Sequence, residues 1–574
     1  MFIVSEFGLR PEPGYDNSPL FAKAITSIKA KTRKGTKVRI VFPKGHYEFY
    51  PEKAVKRTLY ISNHEQDNPK TIGLMLDDME NVTIDGGGSE FVFHGRMIPI
   101  ALIRSSACTL TNFSIDFADP QIAQARILAN DTTSGETIYK MEPWVDYEVT
   151  DSTLYVKGHG WKETLHTCIA FDPLTRHIIY NTADEWVKTT GVEDIGDRRI
   201  RARGWNNRRL RPGTVMAMRG WKRPSPGLFF SYNKDVTVKN VSVHYAEGMG
   251  LLAQLCNGIV LDSFSVCLKG KQDPRYFTTQ ADATHFSGCK GKIVVRNGIY
   301  ESMMDDAINV HGTYLKIIGK EGDNSVIARY MHPQAYGFDW GQKGDKVQFV
   351  KASTMEITGK TNRIASITPV DKPIDEGVKL FRIVFDRPLP DMADSCAYGI
   401  ENLTWTPKVL FEKNIIRNNR ARGALFSTPR KVVVQNNLFD HVSGTGILLC
   451  GDCNGWYETG ACRDVTIRHN VFDNTLTCMF QFTNAIISIY PEIPDLKGQT
   501  KYFHSGIAIE DNVFRTFDNP IVYAKSVDGL TIRRNKIINN HDFPAFHWNK
   551  KPFLLERVRR ARISDNTNEK EIIP

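Results

Sequence analysis

Three aspartates and two histidines fall within one segment near the middle of the chain, residues 280–312, which reads QADATHFSGCKGKIVVRNGIYESMMDDAINVHG. The acids are Asp282, Asp305 and Asp306, and the histidines are His285 and His311. Their neighbours are mostly small or apolar, so carboxylates that meet there should repel each other and resist ionising together. A protonated carboxyl beside an ionised one supplies the general acid and general base of glycoside hydrolysis. Solvated surface charge is the less favoured alternative.

The spacing of the acids matches a repeat that runs through the sequence. Asp282 and Asp305 are 23 residues apart (305 − 282), and short β-branched runs ending in a polar bend residue recur at this interval or at this interval plus a loop. Such repeated short strands are typical of a right-handed parallel β-helix. We therefore expect Asp282 and Asp305 at equivalent positions on adjacent turns, with Asp306 beside them. The bend residues are Asn240, Ser263, Asn297, Asn414, Asn437, Asn470, Asn512 and Asn535.

The recurring asparagine suits a sharp bend between strands, because asparagine tolerates the left-handed backbone conformation and can hydrogen-bond the backbone. Asparagines stacked on successive turns would also form an amide ladder inside the coil. Ahead of the repeats, residues 19–28 space their apolar side chains at helical intervals. This pattern predicts a helix that caps the first turn.

Two intervals are much longer than one turn. Asn112, the bend of a weaker early copy, precedes Asn240 by 128 residues, and Asn297 precedes Asn414 by 117 residues. Short strand-like runs joined by turn residues fill both intervals, which predicts two inserted small antiparallel β-barrel modules in an all-β chain. The modules either cap and solubilise the coil, wall its cleft or form the interface of a homodimer. The predicted regions are an N-terminal cap with the first turns (1–119), one module (120–217), the turns with the aspartates (218–314), a second module (315–402) and the C-terminal turns (403–574).

The composition is that of a soluble globular protein, with 41% hydrophobic and 24% charged residues among 574. No apolar run is long enough for a transmembrane helix, and the first residues lack the pattern of a signal peptide. We expect either an intracellular protein or one whose leader has been removed.

Two clusters have alternative interpretations. The arginine-rich segment 198–211 fits a nucleic-acid surface less well than a solvated loop or strand edge, because basic residues elsewhere are dispersed despite a net charge of +10. Cys450, Cys453 and Cys462 lack a fourth ligand at usual zinc spacing. Buried thiols or one loop disulfide are the favoured interpretations.

A calcium-dependent lyase is the main chemical rival to a hydrolase. Three carboxylates suit calcium, and a lyase would also need a basic side chain, for which Arg420, Arg422 and Arg430 are candidates. A rival of a different class is a glycan-binding β-helix without catalysis. The acid cluster favours an enzyme over this second rival.

The acid segment resembles the polygalacturonase-type β-helix glycosidases, which place an Asn-Thr-Asp, an Asp-Asp and a His-Gly in this order. The uronate-binding Arg-Ile-Lys signature of those enzymes has no counterpart here, which favours a neutral sugar. Longer strings across nearly the whole chain resemble glycoside hydrolase family 110, the α-1,3-galactosidases. These strings are MRGWKRPSPGLFF (218–230), HYAEGMGLLAQ (244–254), TTQADATHF (278–286), ESMMDDAINVHG (301–312), HVSGTGILLCGDCNGWYETG (441–460) and GIAIEDNVFR (506–515).

This resemblance implies inverting, metal-independent hydrolysis of terminal α-1,3-linked galactose, on blood-group B or linear α-galactosyl glycans, without a cofactor. It implies Asp305 as the general acid and Asp282 with Asp306 as the general base. It also implies a periplasmic, secreted or cell-surface location. Spacing alone leaves the stereochemistry open, since carboxyl groups on adjacent turns, about 5 Å apart, fit retention, whereas inversion usually needs about 6.5–9.5 Å.

Galactose needs an aromatic platform for its apolar face and polar groups for its hydroxyls. A Gly- and Cys-rich loop at 450–460 provides candidates for both, although Trp456 would fit a core position and His311 could instead orient Asp306. Arg422 could instead pair with a surface acid. The predicted substrate-binding residues are His311, Trp456, Glu458, Tyr457, Gln254, His285, Asn309 and Arg422.

Overall fold

The computed structural model describes residues 1–371, 377–392, 394–480 and 484–571. One α-helix, Ser18–Lys31, covers the first turns of a long parallel coil. It buries Phe21, Ala24, Ile25 and Ile28 at helical spacing, and the ring of Phe21 stacks on Phe42 with the centroids 6.1 Å apart. The predicted capping helix is confirmed.

The coil has three faces, each built of short parallel strands stacked one above another. The first face contains Phe2–Ile3, Val38–Val41, Val82–Phe93, Thr109–Phe117, Lys234–Val243, Asn257–Val266, Lys290–Arg296, Lys408–Glu412, Lys431–Gln435, Asp464–Arg468, His504–Glu510, Val522–Arg533 and Phe553–Ser564. The longest of these strands bend onto a neighbouring face. The second face continues with His46–Phe49, Ile299–Glu301, Ile415–Arg417, Leu438–Asp440, Val471–Asp473, Val513–Thr516, Lys536–Asn539 and Thr567–Lys570.

The third face carries the acid segment. Its strands are Lys70–Asp77, Ile98–Ile103, Leu228–Ser231, Leu251–Gln254, Thr284–Ser287, Ile308–Thr313, Ala424–Phe426, Ile447–Leu449 and Ile487–Ile489. Two short strands pair with it antiparallel, Val55–Arg57 and Glu458–Thr459. The remaining short elements are the 3-10 helices Val4–Phe7, Pro333–Ala335 and Ser395–Ala397.

Inward side chains of the three faces form one apolar core along the coil. Alternate residues of each strand point inward, as a period of two requires. Phe472 stacks between Phe439 and Phe514, with ring centroids 4.8 and 4.9 Å apart. Like side chains at like positions on successive turns therefore stabilise the coil as a repeating unit.

Asparagines serve the bend in two different ways. In the N-terminal half, the bend residues themselves are left-handed, with φ between 51° and 60° at Asn112, Asn240, Ser263 and Asn297. In the C-terminal half, the residue before each asparagine is left-handed, and the buried amides stack as a ladder. Asn414 donates to Asn437 across 3.1 Å, and Asn437 to Asn470 across 2.9 Å. The ladder continues through Asn512, Asn535 and Asn566.

The asparagine occupies different positions in the two halves of the coil, and this difference corrects the predicted alignment of Asn297 with Asn414. Strand pairing of Ile299 with Ile415 places Asn297 opposite Lys413 and Gly298 opposite Asn414. The expected equivalence of Asn297 and Asn414 is therefore wrong by one residue. The bend position is conserved in space while the asparagine moves one position along the chain, from the bend itself to the ladder.

Two antiparallel modules are inserted in the coil, and the predicted fold class is confirmed. The first has an open seven-stranded sheet and a three-stranded sheet, whereas the second is a closed six-stranded barrel. The strands of the first are Ala123–Asp131, Glu136–Met141, Tyr147–Thr150, Thr153–Gly158, Trp161–Thr164, Thr167–Phe171, Glu185–Trp186, Gly191–Asp194, Arg199–Arg203 and Val215–Arg219. Those of the second are Leu315–Lys320, Ser325–Arg329, Lys346–Lys351, Glu356–Pro369, Leu380–Phe385 and Tyr398–Asn402.

The cysteines at 450–462 and the arginine-rich segment 198–211 both have structural roles. All ten cysteines are free thiols, and Cys450, Cys453 and Cys462 are buried, so the loop disulfide does not form. In the arginine-rich segment, Arg201 and Arg203 both pair with Glu193 on the neighbouring strand. In the described parts of the chain, no helix has the length and apolarity that crossing a membrane requires.

The ladder predicts a stability difference between two asparagines. Asn470 is buried and accepts from the backbone N–H of Asn437 while donating to the carbonyl of Val434. Each buried donor or acceptor that loses its hydrogen bond costs roughly 1–3 kcal/mol. We therefore expect Asn470→Ala to lower the free energy of unfolding by about 3 kcal/mol. The control is Asn240, which is exposed and has a left-handed backbone. Asn240→Gly should change the free energy of unfolding by less than about 0.5 kcal/mol. Equal losses in chemical denaturation would contradict the two roles.

Candidate active site

The acids lie where the chain enters the third face. Asp282 stands two residues before the strand Thr284–Ser287, and the pair Asp305 and Asp306 precedes Ile308–Thr313. Thr284 pairs with Ile308, a step of 24 residues (308 − 284), so Asp282 lies opposite Asp306. The expected equivalence of Asp282 and Asp305 is therefore wrong, because this turn has one residue more than the commonest repeat. All three acids are buried, and oxygens of all three lie within 4.8 Å of one another.

Arginines surround the acids and neutralise them. Ile308 pairs with Ala424 on the next turn, which places Arg422 opposite Asp306. Arg422 donates to both oxygens of Asp306, at 2.8 and 3.0 Å. Asp305 accepts from Arg223 at 3.0 Å and from Arg420 at 3.3 Å. Such paired guanidinium contacts are strong and fix the orientation of a carboxylate.

The surroundings push the pKa values of the three carboxyls apart. Burial opposes ionisation of Asp305, but the positive charges of Arg420, Arg422, Arg223 and Arg219 outweigh it and lower its pKa. Burial, reinforced by the charge on Asp305, raises the pKa of Asp282 to about 8. Burial also raises the pKa of Asp306, against the attraction of Arg422. The ligand-free site thus concentrates negative charge on Asp305 and retains protons beside it, as one coupled set.

A row of hydrogen bonds leads away from Asp282. Its Oδ2 lies 2.7 Å from Nδ1 of His285, and Nε2 of His285 lies 2.7 Å from Nε2 of His311. Nδ1 of His311 lies 2.7 Å from the carbonyl oxygen of Gly312. His311 therefore sits behind His285, and neither expected role, binding a hydroxyl or orienting Asp306, fits its position.

A pocket opens above the acids, and all three of them line it. Five predicted sugar-binding residues line it: His285, Asn309, Arg422, Trp456 and Glu458. The residues missed are Asn63, Arg223, Met249, Leu425, Ser427, Cys450 and Asp452. Arg223 and Asp452 fall inside strings that carry the family resemblance, which was the available signal. Asn63 lies outside the repeats and outside those strings, so nothing in the sequence signalled that it would reach the pocket.

Two further predictions do not reach the pocket wall. Tyr457 packs in a buried cluster with Tyr314 and Cys453. Gln254 is buried, and its amide accepts from the backbone N–H of Ser62 at 3.0 Å and donates to the carbonyl of Tyr60 at 2.9 Å. Both side chains therefore support loops of the site instead of facing a ligand.

The loop at 450–460 is rigidly attached beside the acids. Asp452 accepts from the backbone N–H groups of Asn454 and Trp456, at 2.7 and 2.5 Å. The Trp456 ring stacks on His332, with the centroids 4.4 Å apart and the planes 22° apart. Trp456 is 36% exposed and lines the pocket, so the core interpretation is wrong. Glu458 accepts from Asn63 at 3.0 Å.

Both inserted modules contact the walls of the pocket. Asp184 of the first module binds Arg420, and Arg420 in turn binds Asp305. The second module supplies His332, beneath Trp456, and the carbonyl of Gln334, which accepts from the backbone N–H of Asn63. Gly460 fits where a side chain would not, because a Cβ there would lie 1.9 Å from Oε1 of the buried Glu401. The modules thus fix the loops around the acids.

Comparison with known proteins agrees with this arrangement. Models of the GLAA-B beta-barrel domains I and II match residues 123–216 and 325–394, which lie within the two modules. The chain is 59% identical to alpha-1,3-galactosidase B of Bacteroides fragilis strain YCH46, over 98% of this chain and 96% of that protein. The chain belongs to the α-1,3-galactosidase B family. It is 57% identical to alpha-1,3-galactosidase B of Phocaeicola vulgatus, with the same coverage of both chains. The resemblance to α-1,3-galactosidases is confirmed.

The raised pKa of Asp282 predicts a pH-dependent stability difference for this α-1,3-galactosidase family member. The pKa is about 8 in the folded protein against an ordinary 3.8, so the proton on Asp282 stabilises the fold fully at low pH and progressively less as pH rises towards 8. Asn cannot ionise. The stability of Asp282→Asn relative to wild type should therefore rise between about pH 5 and about pH 8.5.

A surface acid provides the control for this measurement by denaturant titration. Hydrogen bonds from Arg559 and Arg560 lower the pKa of Asp528 to about 2. Asp528 is thus ionised throughout the same pH range in both states, and the difference between Asp528→Asn and wild type should stay flat. A flat difference for Asp282→Asn as well would show that Asp282 is not held protonated.

Proposed function

We propose that this protein is an exo-acting glycoside hydrolase that releases terminal α-1,3-linked galactose with inversion. One observation carries the proposal: three buried carboxyls with unequal pKa values line a pocket that Trp456 also lines. The printed names of its relatives, alpha-1,3-galactosidase, support the choice of sugar and linkage. The substrates proposed are blood-group B type and linear α-galactosyl glycans. A periplasmic, secreted or cell-surface location fits such glycans.

In the proposed reaction, Asp305 protonates the glycosidic oxygen as the bond to the anomeric carbon breaks. Water attacks that carbon from the opposite side, and the pair Asp282 and Asp306 removes its proton. Asp305 is ionised in the ligand-free site, so it must first receive a proton from within the triad. An oxygen of each acid lies within 4.8 Å of the others, which makes that transfer short. This separation by itself fits retention, so inversion is proposed from the family resemblance and not from the distance.

The polar lining suits a neutral sugar. Oδ1 of Asn309 is buried without a hydrogen-bond partner and belongs to a residue that lines the pocket, so a sugar hydroxyl can donate to it. Trp456 offers its ring to the apolar face of galactose, while Arg422 and Glu458 border the same space. Leaving a buried acceptor unpaired costs free energy, and a bound hydroxyl would recover it.

The calcium-dependent lyase is disfavoured by the partners of the acids. Arg422 occupies both oxygens of Asp306, and Arg223 and Arg420 occupy those of Asp305. A dication would have to displace these guanidinium groups. Arg430, one of the basic candidates, instead binds Thr406 and the carbonyl of Leu403. It does not line the pocket.

The first test is release of galactose from an α-1,3-linked galactose disaccharide and from its fucosylated trisaccharide, with EDTA present, followed by proton NMR. We expect β-galactose as the first product and no loss of rate with EDTA. First appearance of α-galactose would contradict inversion, and a loss with EDTA would restore the calcium rival. Binding without release would indicate a glycan-binding module.

The second test separates acid from base. Asp305→Asn should lower kcat on the disaccharide by about 10³-fold, because general acid catalysis is worth about 10²–10⁴. The kcat of Asp305→Asn should fall far less on an aryl galactoside, because its leaving group needs no proton. Asp306→Asn is the matched comparison. Its kcat should fall on both substrates, because the attacking water must be activated in both reactions. If Asp282→Asn instead showed the selective loss, the roles of Asp282 and Asp305 would be exchanged.

A further inference from the structure

The row of hydrogen bonds behind Asp282 needs one hydrogen more than its two imidazoles supply when they are neutral. The carbonyl of Gly312 only accepts, so Nδ1 of His311 carries a hydrogen. Three bonds in a row, from Asp282 through His285 and His311 to Gly312, need three hydrogens. Two neutral imidazoles bring only one each, and an ionised Asp282 brings none.

The additional proton has defined positions. With both histidines neutral, Nε2 of His285 donates to Nε2 of His311, and Nδ1 of His285 must accept from a protonated Asp282. When the proton moves along the row, Asp282 becomes a carboxylate, and His285 or His311 becomes an imidazolium. Each transfer crosses one hydrogen bond of 2.7 Å, and no atom other than hydrogen has to move.

We propose that His285 and His311 form a proton store for Asp282, holding its proton while Asp282 acts as a base and returning it afterwards. This inference rests on the proposed function, because it explains how a carboxyl that is protonated in the ligand-free site can serve as a general base. His285 contacts the reacting carboxyl, whereas His311 acts through His285 and is a positioning residue. Only a proton moves, so no oxidant or other reactant is needed.

The far end of the row is built to receive a positive charge. Oε1 of Glu458 lies 3.4 Å from Nε2 of His311, and an imidazolium there would be paired with that carboxylate. The other charged or titratable groups that act on the row are the acids Asp305 and Asp306 and the basic Arg223, Arg422 and His64. Arg223 and Arg422 favour an ionised Asp282. Burial and the positive charges of His311 and Arg223 lower the pKa of His285, so the proton rests on Asp282 and occupies His285 only in transit. Glu458 balances the charge when the proton reaches His311.

The variant His311→Gln tests the store without removing the hydrogen bonds. A glutamine carbonyl can accept from His285 and its amide can donate to Gly312, but glutamine takes up no proton. We expect kcat to fall about tenfold at about pH 6 and to return within about twofold of wild type at about pH 8.5, where Asp282 ionises without help. KM should change little. A loss of equal size at every pH would show a merely structural role and overturn the proposal.

His504→Gln is the matched control. His504 is buried in the same coil, outside the pocket, and its Nδ1 accepts from the backbone N–H of Cys462 at 3.0 Å. This variant should keep the shape of the wild-type pH profile. The same pH-dependent loss in His504→Gln would assign the effect to loss of a buried histidine in general and would overturn the proposal.

A readout without substrate separates this inference from the proposed function. In nitrogen-15 NMR of histidine-labelled protein, the signals of His285 and His311 should shift together as pH rises from about 6 to about 9, as the additional proton leaves. In Asp282→Asn, whose amide supplies the third hydrogen, neither should shift. Independent titration of the two histidines, or a shift that survives Asp282→Asn, would overturn the store. Joint shifts in a protein that releases no galactose would instead contradict only the proposed function.

Discussion

Backbone hydrogen bonds hold adjacent turns of the coil in one register, and the chemistry of the site depends on it. The amide of Ala283 donates to the carbonyl of Asp306, and that of Ala307 to the carbonyl of Gly423. These bonds align Asp282, Asp306 and Arg422 in one column across three turns. A shift of one residue would turn the side chains to the opposite face of the sheet. The register thus decides that acids meet each other and also meet a guanidinium.

Within that register, the balance of charge makes the acid cluster tolerable. Burying three carboxylates without partners would cost far more free energy than a fold can supply. Arginines from two separate segments bind the cluster, Arg223 from one and Arg420 with Arg422 from the other, and Asp282 retains its proton beside a histidine. The same arrangement makes the three carboxyls unequal, so the contacts that stabilise the buried acids also prepare the acid and base roles that we propose for them.

The sequence predicted the coil because the repeat appears in local patterns: β-branched runs, an asparagine and a fixed interval. The sequence also predicted that the acids lie close together, because their spacing of 23 residues is close to one turn. The exact partner of Asp282 could not be predicted, because a turn gains a residue without changing its strands. Asn297 and Asn414 were misaligned for a different reason, because Asn297 occupies the bend itself whereas Asn414 stands one position later, in the ladder.

Side chains that reach the site from outside the repeat were largely beyond prediction. Asn63 comes from an early loop and meets Glu458 only after the coil has folded. Gln254 and Tyr457 have the residue types of sugar ligands, yet they point into supporting contacts. Residue type indicates what a side chain can bind, whereas the direction in which it points depends on tertiary packing.

The position of the second module has a consequence for the order of assembly. It separates two strands that pair directly, Ile308–Thr313 and Ala424–Phe426, by more than a hundred residues of chain. Such a contact has high contact order and must wait until the intervening chain is compact. During synthesis, Asp305 and Asp306 therefore emerge well before Arg420 and Arg422, which will neutralise them. The turn that carries the acids can therefore be completed only after the whole second module has been synthesised.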